Sequence, residues 1–161
     1  MIDRHNQRAK EILETIQYAT LATVTPDSKP WNSPVASVID NDLNIFWFSD
    51  KEGQHSKNVR DNGEVFIVVY DSTAPSGEGE GVYIRARAYE LDDPDEIQAA
   101  RRIKYDSEEG SSPDEFLGDG VRRAYKAVPQ KVWMNDDVTE NGKFIKDIRV
   151  EVPLEALKGQ Q

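Results

Sequence analysis

The sequence contains no cysteine, which removes disulfides, thiolate metal sites, iron–sulfur clusters and cysteine nucleophiles together. Histidine is almost as scarce, with only His5 and His55, too few for a histidine-built zinc hydrolase. No apolar run approaches the roughly 20 residues that cross a bilayer. The opening Met1-Ile2-Asp3-Arg4-His5 is charged rather than signal-like, so a cytoplasmic protein without a membrane role is expected. Basic charge is also short: 20 Lys and Arg stand against 30 Asp and Glu, a net of −10. With no basic stripe on any expected helix, a nucleic-acid partner is not expected either.

What remains is a chain of 161 residues, 37% apolar and 31% charged, polar but supplied with enough aromatic and β-branched residues to build one core. A single domain over 1–161 is expected, with an N-terminal helix in 1–18, core strands in 19–91, a helical insertion with a mobile loop in 92–120, and closing strands in 121–161.

Ala9, Ile12, Leu13 and Ile16 recur at helical spacing among charged residues. Thr20 to Thr25 then alternates as a strand, and Pro26-Asp27-Ser28-Lys29-Pro30 supplies a turn. Ser33 to Ile39 reads as the return strand and Leu43 to Phe48 as a third, completing a meander. A short helix is expected from about Ser56. The nearly unbroken apolar run Val65-Phe66-Ile67-Val68-Val69-Tyr70 predicts a strand buried on both faces. Asp71 to Gly81 reads as a loop. In Val82 to Leu91 the residues Val82, Ile84, Ala86 and Ala88 share one face and Tyr83, Arg85, Arg87 and Tyr89 the other.

A helix follows, opened by acids and Pro94, and Ser107 to Asp119 reads as an exposed, mobile connection or a short helix. Val121 to Met134 is a strand pair or one long bent strand with Pro129 at a bulge or edge. Asn141-Gly142 turns the chain into a last strand from Phe144 to Val152. Six or seven antiparallel strands with tight turns and peripheral helices predict a mainly β barrel, closed or partly closed.

The segment Phe48 to Asn62 is locally basic in an acidic chain. Lys51, His55, Lys57 and Arg60 fall within ten positions, Ser49 and Ser56 add hydroxyls, and Gly53 lets backbone amides approach a ligand. These are the groups a phosphate needs at a helix start. A solvated basic loop has the same composition, so residue types leave both readings open.

The order of helix, Ala19-Thr20-Leu21-Ala22-Thr23-Val24, Pro26-Asp27-Ser28-Lys29-Pro30, Ser33-Pro34-Val35, aromatic strand, phosphate loop and Val65-Phe66-Ile67-Val68-Val69-Tyr70-Asp71 resembles the pyridoxamine 5'-phosphate oxidase-like, flavin-binding split barrels. The resemblance covers about Gln17 to Leu91 closely and the remainder loosely. It implies an antiparallel split barrel that binds flavin mononucleotide (FMN). In the oxidase a Tyr-Thr pair ends the third strand and a Ser-Arg-Lys triplet follows. These positions fall on Phe48-Ser49 and Gly53-Gln54-His55, so Gln54 and His55 stand where the oxidase has Arg and Lys, with Lys57 as the substitute cation beside Ser56.

The resemblance further implies that the flavin ring lies along the second strand, against the backbone of Val35, Ala36, Ser37 and Val38. It implies a homodimer with the cofactor between subunits, Trp133 from late in the chain contacting the ring and Arg149 near its pyrimidine edge. The oxidase's C-terminal Trp, Arg and His motif is absent, which argues against pyridoxamine phosphate as the substrate. The expected activity is an FMN-dependent oxidoreductase acting on a small molecule, with no side chain assigned as catalytic acid or base. Related split barrels use deazaflavin F420 or haem, and a non-catalytic, stress-linked flavin binder is a further alternative.

Other constellations are set aside on physical grounds. Gly77-Glu78-Gly79-Glu80-Gly81 precedes a strand and carries acids where a pyrophosphate would sit. Asp92, Asp93, Asp95 and Glu96 lack calcium-loop spacing and suit a helix start. Arg85 and Arg87 read as partners of surface carboxylates, and Trp31 and Trp47 as core or interface residues.

Overall fold

The structure is a computed structural model that describes residues 3–105 and 112–159. Helix α1 (Arg4–Thr15) starts at Asp3, whose carboxylate accepts the His5 amide, and buries Ala9 and Ile12. Strands β1 (Tyr18–Val24) and β2 (Pro30–Ala36) form the first hairpin. Strand β3 (Val38–Ile39) pairs with β4 (Ile45–Asp50). Helix α2 (Gln54–Asp61), β5 (Glu64–Tyr70), β6 (Gly81–Glu90) and α3 (Pro94–Tyr105) follow. A 3-10 turn (Pro113–Phe116) leads to the long β7 (Arg122–Glu140), then β8 (Lys143–Val152) and α4 (Leu154–Leu157). No helix among the described residues is long and apolar enough to cross a membrane.

Neighbours in the antiparallel sheet run β2-β1-β5-β6-β7-β4-β3, with β8 on the far half of β7. The two ends of this path, β2 and β3, are consecutive in the chain and separated only by Ser37. The sheet therefore curls back on itself through one bent segment. This corrects two expectations. Ser33 to Ile39 is not a single strand, because the Ser37 amide leaves the ladder to donate to the Gln17 carbonyl at 3.0 Å. Nor do the first strands form a flat meander, since β2 pairs with β1 while β4 pairs with β3 and β7.

Strand β7 is the long bent strand rather than a pair. Ala86 pairs with Pro129 but Arg85 with Lys131, leaving Gln130 as an extra residue. Such a bulge reverses the side-chain phase. Tyr125 and Ala127 point into the core before it, Val132 and Met134 after it. Asn141 (φ 51°) and Gly142 (φ 74°) make the left-handed turn into β8, as their sequence predicts.

The main core fills the barrel with Leu21, Ile45, Trp47, Ile67, Ile84 and their neighbours, and Trp47 stacks on Tyr125 at 5.6 Å. On β6, Val82, Ile84, Ala86 and Ala88 are buried as the alternation predicts. A second cluster lies outside the barrel, where Phe46 and Ala124 meet Leu91, Ile97, Ala100 and Phe116. It makes β4, not β5, the strand covered on both faces. β5 buries Val65, Ile67 and Val69 but leaves Phe66 38% and Tyr70 46% exposed, so its apolar run does not mean two-sided burial within one chain.

The mobile stretch expected from Ser107 falls outside the described residues as far as position 111. Beyond it Phe116 is fully buried, so that end is anchored rather than loose.

Candidate functional site

Strand β4 delivers Ser49 and Asp50 to the start of α2, and the turn between them is tied down on several sides. The Asp50 carbonyl accepts the Gly53 amide at 3.1 Å and the Ser56 hydroxyl at 2.7 Å. The Asp50 carboxylate accepts the Glu52 amide at 2.8 Å. From the far side, Arg60 donates to the Lys51 carbonyl at 2.6 Å, to the Tyr125 hydroxyl at 3.1 Å and to Glu90 at 3.0 Å. Within the helix Gln54 donates to Asn58, which donates to the buried Thr23 hydroxyl. A Cβ at position 53 would sit 3.2 Å from the Asp50 carbonyl oxygen, which explains glycine there.

Helix α2 begins two residues earlier than its sequence suggests, at Gln54, with Gly53 as N-cap and no side-chain cap. The amides of Gln54, His55 and Ser56 therefore have no acceptor inside the helix, while the Lys57 amide already bonds the Gly53 carbonyl. This is an amide array with a positive helix end behind it.

The expected site residues divide around this array. Ser49 is half-buried at the end of β4, opposite Arg123. Ser56 is fully buried with its hydroxyl committed to Asp50, so of its polar groups only the amide faces the helix start. Lys57 is on the exposed side, 3.5 Å from Glu52. The His55 ring is held neutral by burial, which pushes its pKa below the ordinary 6.5 against the pull of Asp50. Its Nε2 is buried without a partner.

Phe48 points away from the loop, packing on Phe116 at 5.0 Å with the Arg101 guanidinium 5.8 Å from its ring. Val35 is in the core, while Ala36, Ser37 and Val38 are half-buried along the bend. Trp133 is far along β7, stacked on Phe66 at 6.3 Å on the outside of the barrel, and Arg149 lies 3.4 Å over the Tyr83 ring. One chain thus brings the Ser49 to Lys57 segment and the bent strand together, and leaves Trp133 and Arg149 on another face.

A cleft of about 450 Å³ between α1, β3 and α3 touches Ser37 and Val38. A more polar one of about 730 Å³ lies between α1 and the β7–β8 arm. Neither is lined by any residue from Ser49 to Lys57.

Two contributors escaped sequence reasoning. Asn58, a poor helix former inside α2, is the link to β1, and its low propensity was the available signal. Arg101 is 7% exposed and lies among the Phe48, Tyr105 and Phe116 rings. Its spacing of four from Ile97 places it on the buried face of α3.

The sequence profile of pyridoxamine 5'-phosphate oxidase matches residues 6–136. The chain belongs to the pyridoxamine 5'-phosphate oxidase family. No curated protein sequence matches it. Among solved structures it is similar to a haem-binding protein of Mycobacterium smegmatis, with 20% identity and a TM-score of 0.68 over 94% of this chain and 59% of that one. It is also similar to HutZ, the haem storage protein of Vibrio cholerae, with 18% identity and a TM-score of 0.65 over 81% and 94% of the two chains. An FAD-binding protein of M. smegmatis shares 14% identity and a TM-score of 0.60 over 89% and 95%. At these identities the likeness is one of fold.

Proposed function

We propose that this family member is a homodimeric FMN-binding oxidoreductase acting on a small molecule, with the cofactor phosphate on the free amides of Gln54, His55 and Ser56. The uncapped α2 N-terminus beside Ser49, at the gap between β2 and β4, is the observation that carries this reading. The bent segment runs alongside. Val38 is opposite Phe46, and Ser49 lies three residues further along β4, about 10 Å at ~3.3 Å per residue. That span suits a polyol chain joining a phosphate at Ser49 to a ring at Val38.

The residues present fit the group. The amides and helix end hold the phosphate, the Ser49 hydroxyl donates to it, and Lys57 turns from Glu52 to neutralise it. The backbone of Val35 to Val38 borders the ring, with Trp133 of a second copy closing over it. Flavin, when bound, supplies one- or two-electron transfer, and the chain positions it and excludes water. Purified protein with oxidised-flavin absorption that releases FMN on heating supports this reading; a colourless protein that takes up no added FMN overturns it.

One observation favours haem as a second reading. His55 is kept neutral with an unpartnered ring nitrogen, the state in which imidazole ligates iron. Titration with haemin separates the two, since only haem binding through His55 produces a Soret shift that His55→Ala abolishes.

A further inference from the structure

The cleft between α1, β3 and α3 lies on the seam of the two hydrophobic clusters. Leu13, Ile16 and Ile39 pack against the edge of the barrel core, and Val38 packs against the outer cluster. Between these edges about 450 Å³ is left open. Ile103 of α3 lines the gap with 43% of its surface exposed. Close-packed interiors leave few voids larger than a water molecule, and concave sites of this size with apolar walls are where small molecules bind.

Leu43 adds to the same wall from a backbone that leucine rarely adopts, with φ 71°. Glycine takes that conformation without strain; leucine keeps it here and supplies an apolar side chain to both the core and the cleft. The turn that holds it is built on Asp40. Its carbonyl accepts the Leu43 amide at 3.1 Å, and its carboxylate accepts the amides of Asp42 and Asn44 and the Asn44 side chain.

The charges of the cleft are arranged to leave two cations free. Lys10 stands on the α1 wall and Lys104 on the α3 wall, and both are half-buried, as lysines are whose stems lie on apolar surface. Among the described residues neither is in an ion pair. Lys104 is instead set against the rings of Phe48 at 5.6 Å and Tyr105 at 5.5 Å, which hold an ammonium without neutralising it. Of the two acids that line the cleft, Asp40 has both oxygens bonded within its own turn and Glu14 is exposed. The two cations and two acids cancel, in a chain that carries −10 overall, so an anion meets no net repulsion here.

We infer that this cleft binds a small organic acid, its apolar body between α1 and α3 and its carboxylate bonded by the ammoniums of Lys10 and Lys104. The cleft also borders the bent segment, since Ser37 and Val38 line it, and these are residues on which the flavin ring is placed above. The bound acid is then the small molecule on which the flavin acts. That last step rests on the FMN reading; the binding of the acid does not.

The test is calorimetric titration of the purified protein, without added flavin, using 2-naphthoate as the probe and 2-naphthamide as its uncharged counterpart. The naphthoate saturates one site per chain and binds about tenfold or more tighter than the amide, as expected for charge-assisted bonds. Lys10→Gln and Lys104→Gln each remove most of that preference and leave amide binding as it was, while Ile103→Ser weakens both probes. Lys146→Gln, on the exposed side of β8, changes neither. Lys10 makes no contact with the aromatic rings that Lys104 touches, so its variant reports even if Lys104→Gln disturbs their packing. Equal affinity for acid and amide, or a preference for the acid that survives both lysine variants, overturns the inference. A protein that holds naphthoate through both lysines and takes up no FMN leaves the cleft standing and removes the flavin reading. One that binds FMN but no naphthoate removes the cleft alone.

Discussion

Ser56 donates its hydroxyl to the Asp50 carbonyl at 2.7 Å from a position with no exposed surface. A serine in a basic loop reads from sequence as a phosphate ligand, but in the fold its hydroxyl holds the turn that presents the amides. Ser56→Ala leaves the Asp50 carbonyl with the Gly53 amide as partner, so the loss of stability falls near the lower end of the usual 1–3 kcal/mol for a buried bond, about 1 kcal/mol. Urea denaturation of the variant measures it.

In the FMN reading, Glu52 and the cofactor phosphate compete for the Lys57 ammonium. The Lys57–Glu52 pair is exposed and worth little by itself, but it holds the cation that the FMN reading needs. Lys57→Ala weakens FMN binding by about 1.5–3 kcal/mol through the lost charge-assisted contact, and Glu52→Gln tightens it by freeing the lysine. Fluorescence titration of the two variants reads the opposite signs; equal affinities place the phosphate elsewhere.

Acid should destabilise the fold through His55. Its folded pKa is below the 6.5 of the unfolded side chain because burial disfavours the charge. Above 6.5 both states are neutral there and stability is flat. Just below 6.5 the unfolded chain takes up a proton that the folded chain refuses, so stability falls with pH until the folded value is reached. The carboxylates of Asp3, Asp71 and Asp136, lowered from 3.8 by their hydrogen bonds, lose their contribution only in more acid solution. Thermal melts from neutral pH to just below 6.5 show this slope, and His55→Gln reduces it.

The bulge in β7 gives a sharper structural test. Deleting Gln130 makes Pro129 and Lys131 consecutive opposite Ala86 and Arg85, so simple alternation returns with Val132 and Met134 still in the core and Trp133 still outside. Circular dichroism of the deletion variant is expected to retain the folded β signal; loss of that signal would contradict the assigned register.

Local patterns made much of this fold readable. The β6 alternation, the Asn141-Gly142 hairpin, the acid-rich start of α3 and the place of α1 follow from periodicity and turn chemistry over a few residues. The failures are all non-local. Ser37 breaks its strand because Gln17, twenty positions earlier, captures its amide. β4 is covered on both faces because α3 and the Pro113–Phe116 turn come from far along the chain. β5 has a sequence suited to two-sided burial, and one chain supplies only one side.

The site divides in the same way. The candidate site at the α2 start was suggested by clustered hydroxyls and cations. Which groups are free there was not readable, because that depends on Asp50, Arg60 and Asn58 bonding behind the loop.

The most direct test of the central claim is an equilibrium titration of the purified protein with FMN, following flavin fluorescence and visible absorption. The account predicts saturable binding of one FMN per chain, weakened in Lys57→Ala and strengthened in Glu52→Gln. No binding of FMN, or a Soret shift with haemin in a protein that leaves FMN free, would contradict it.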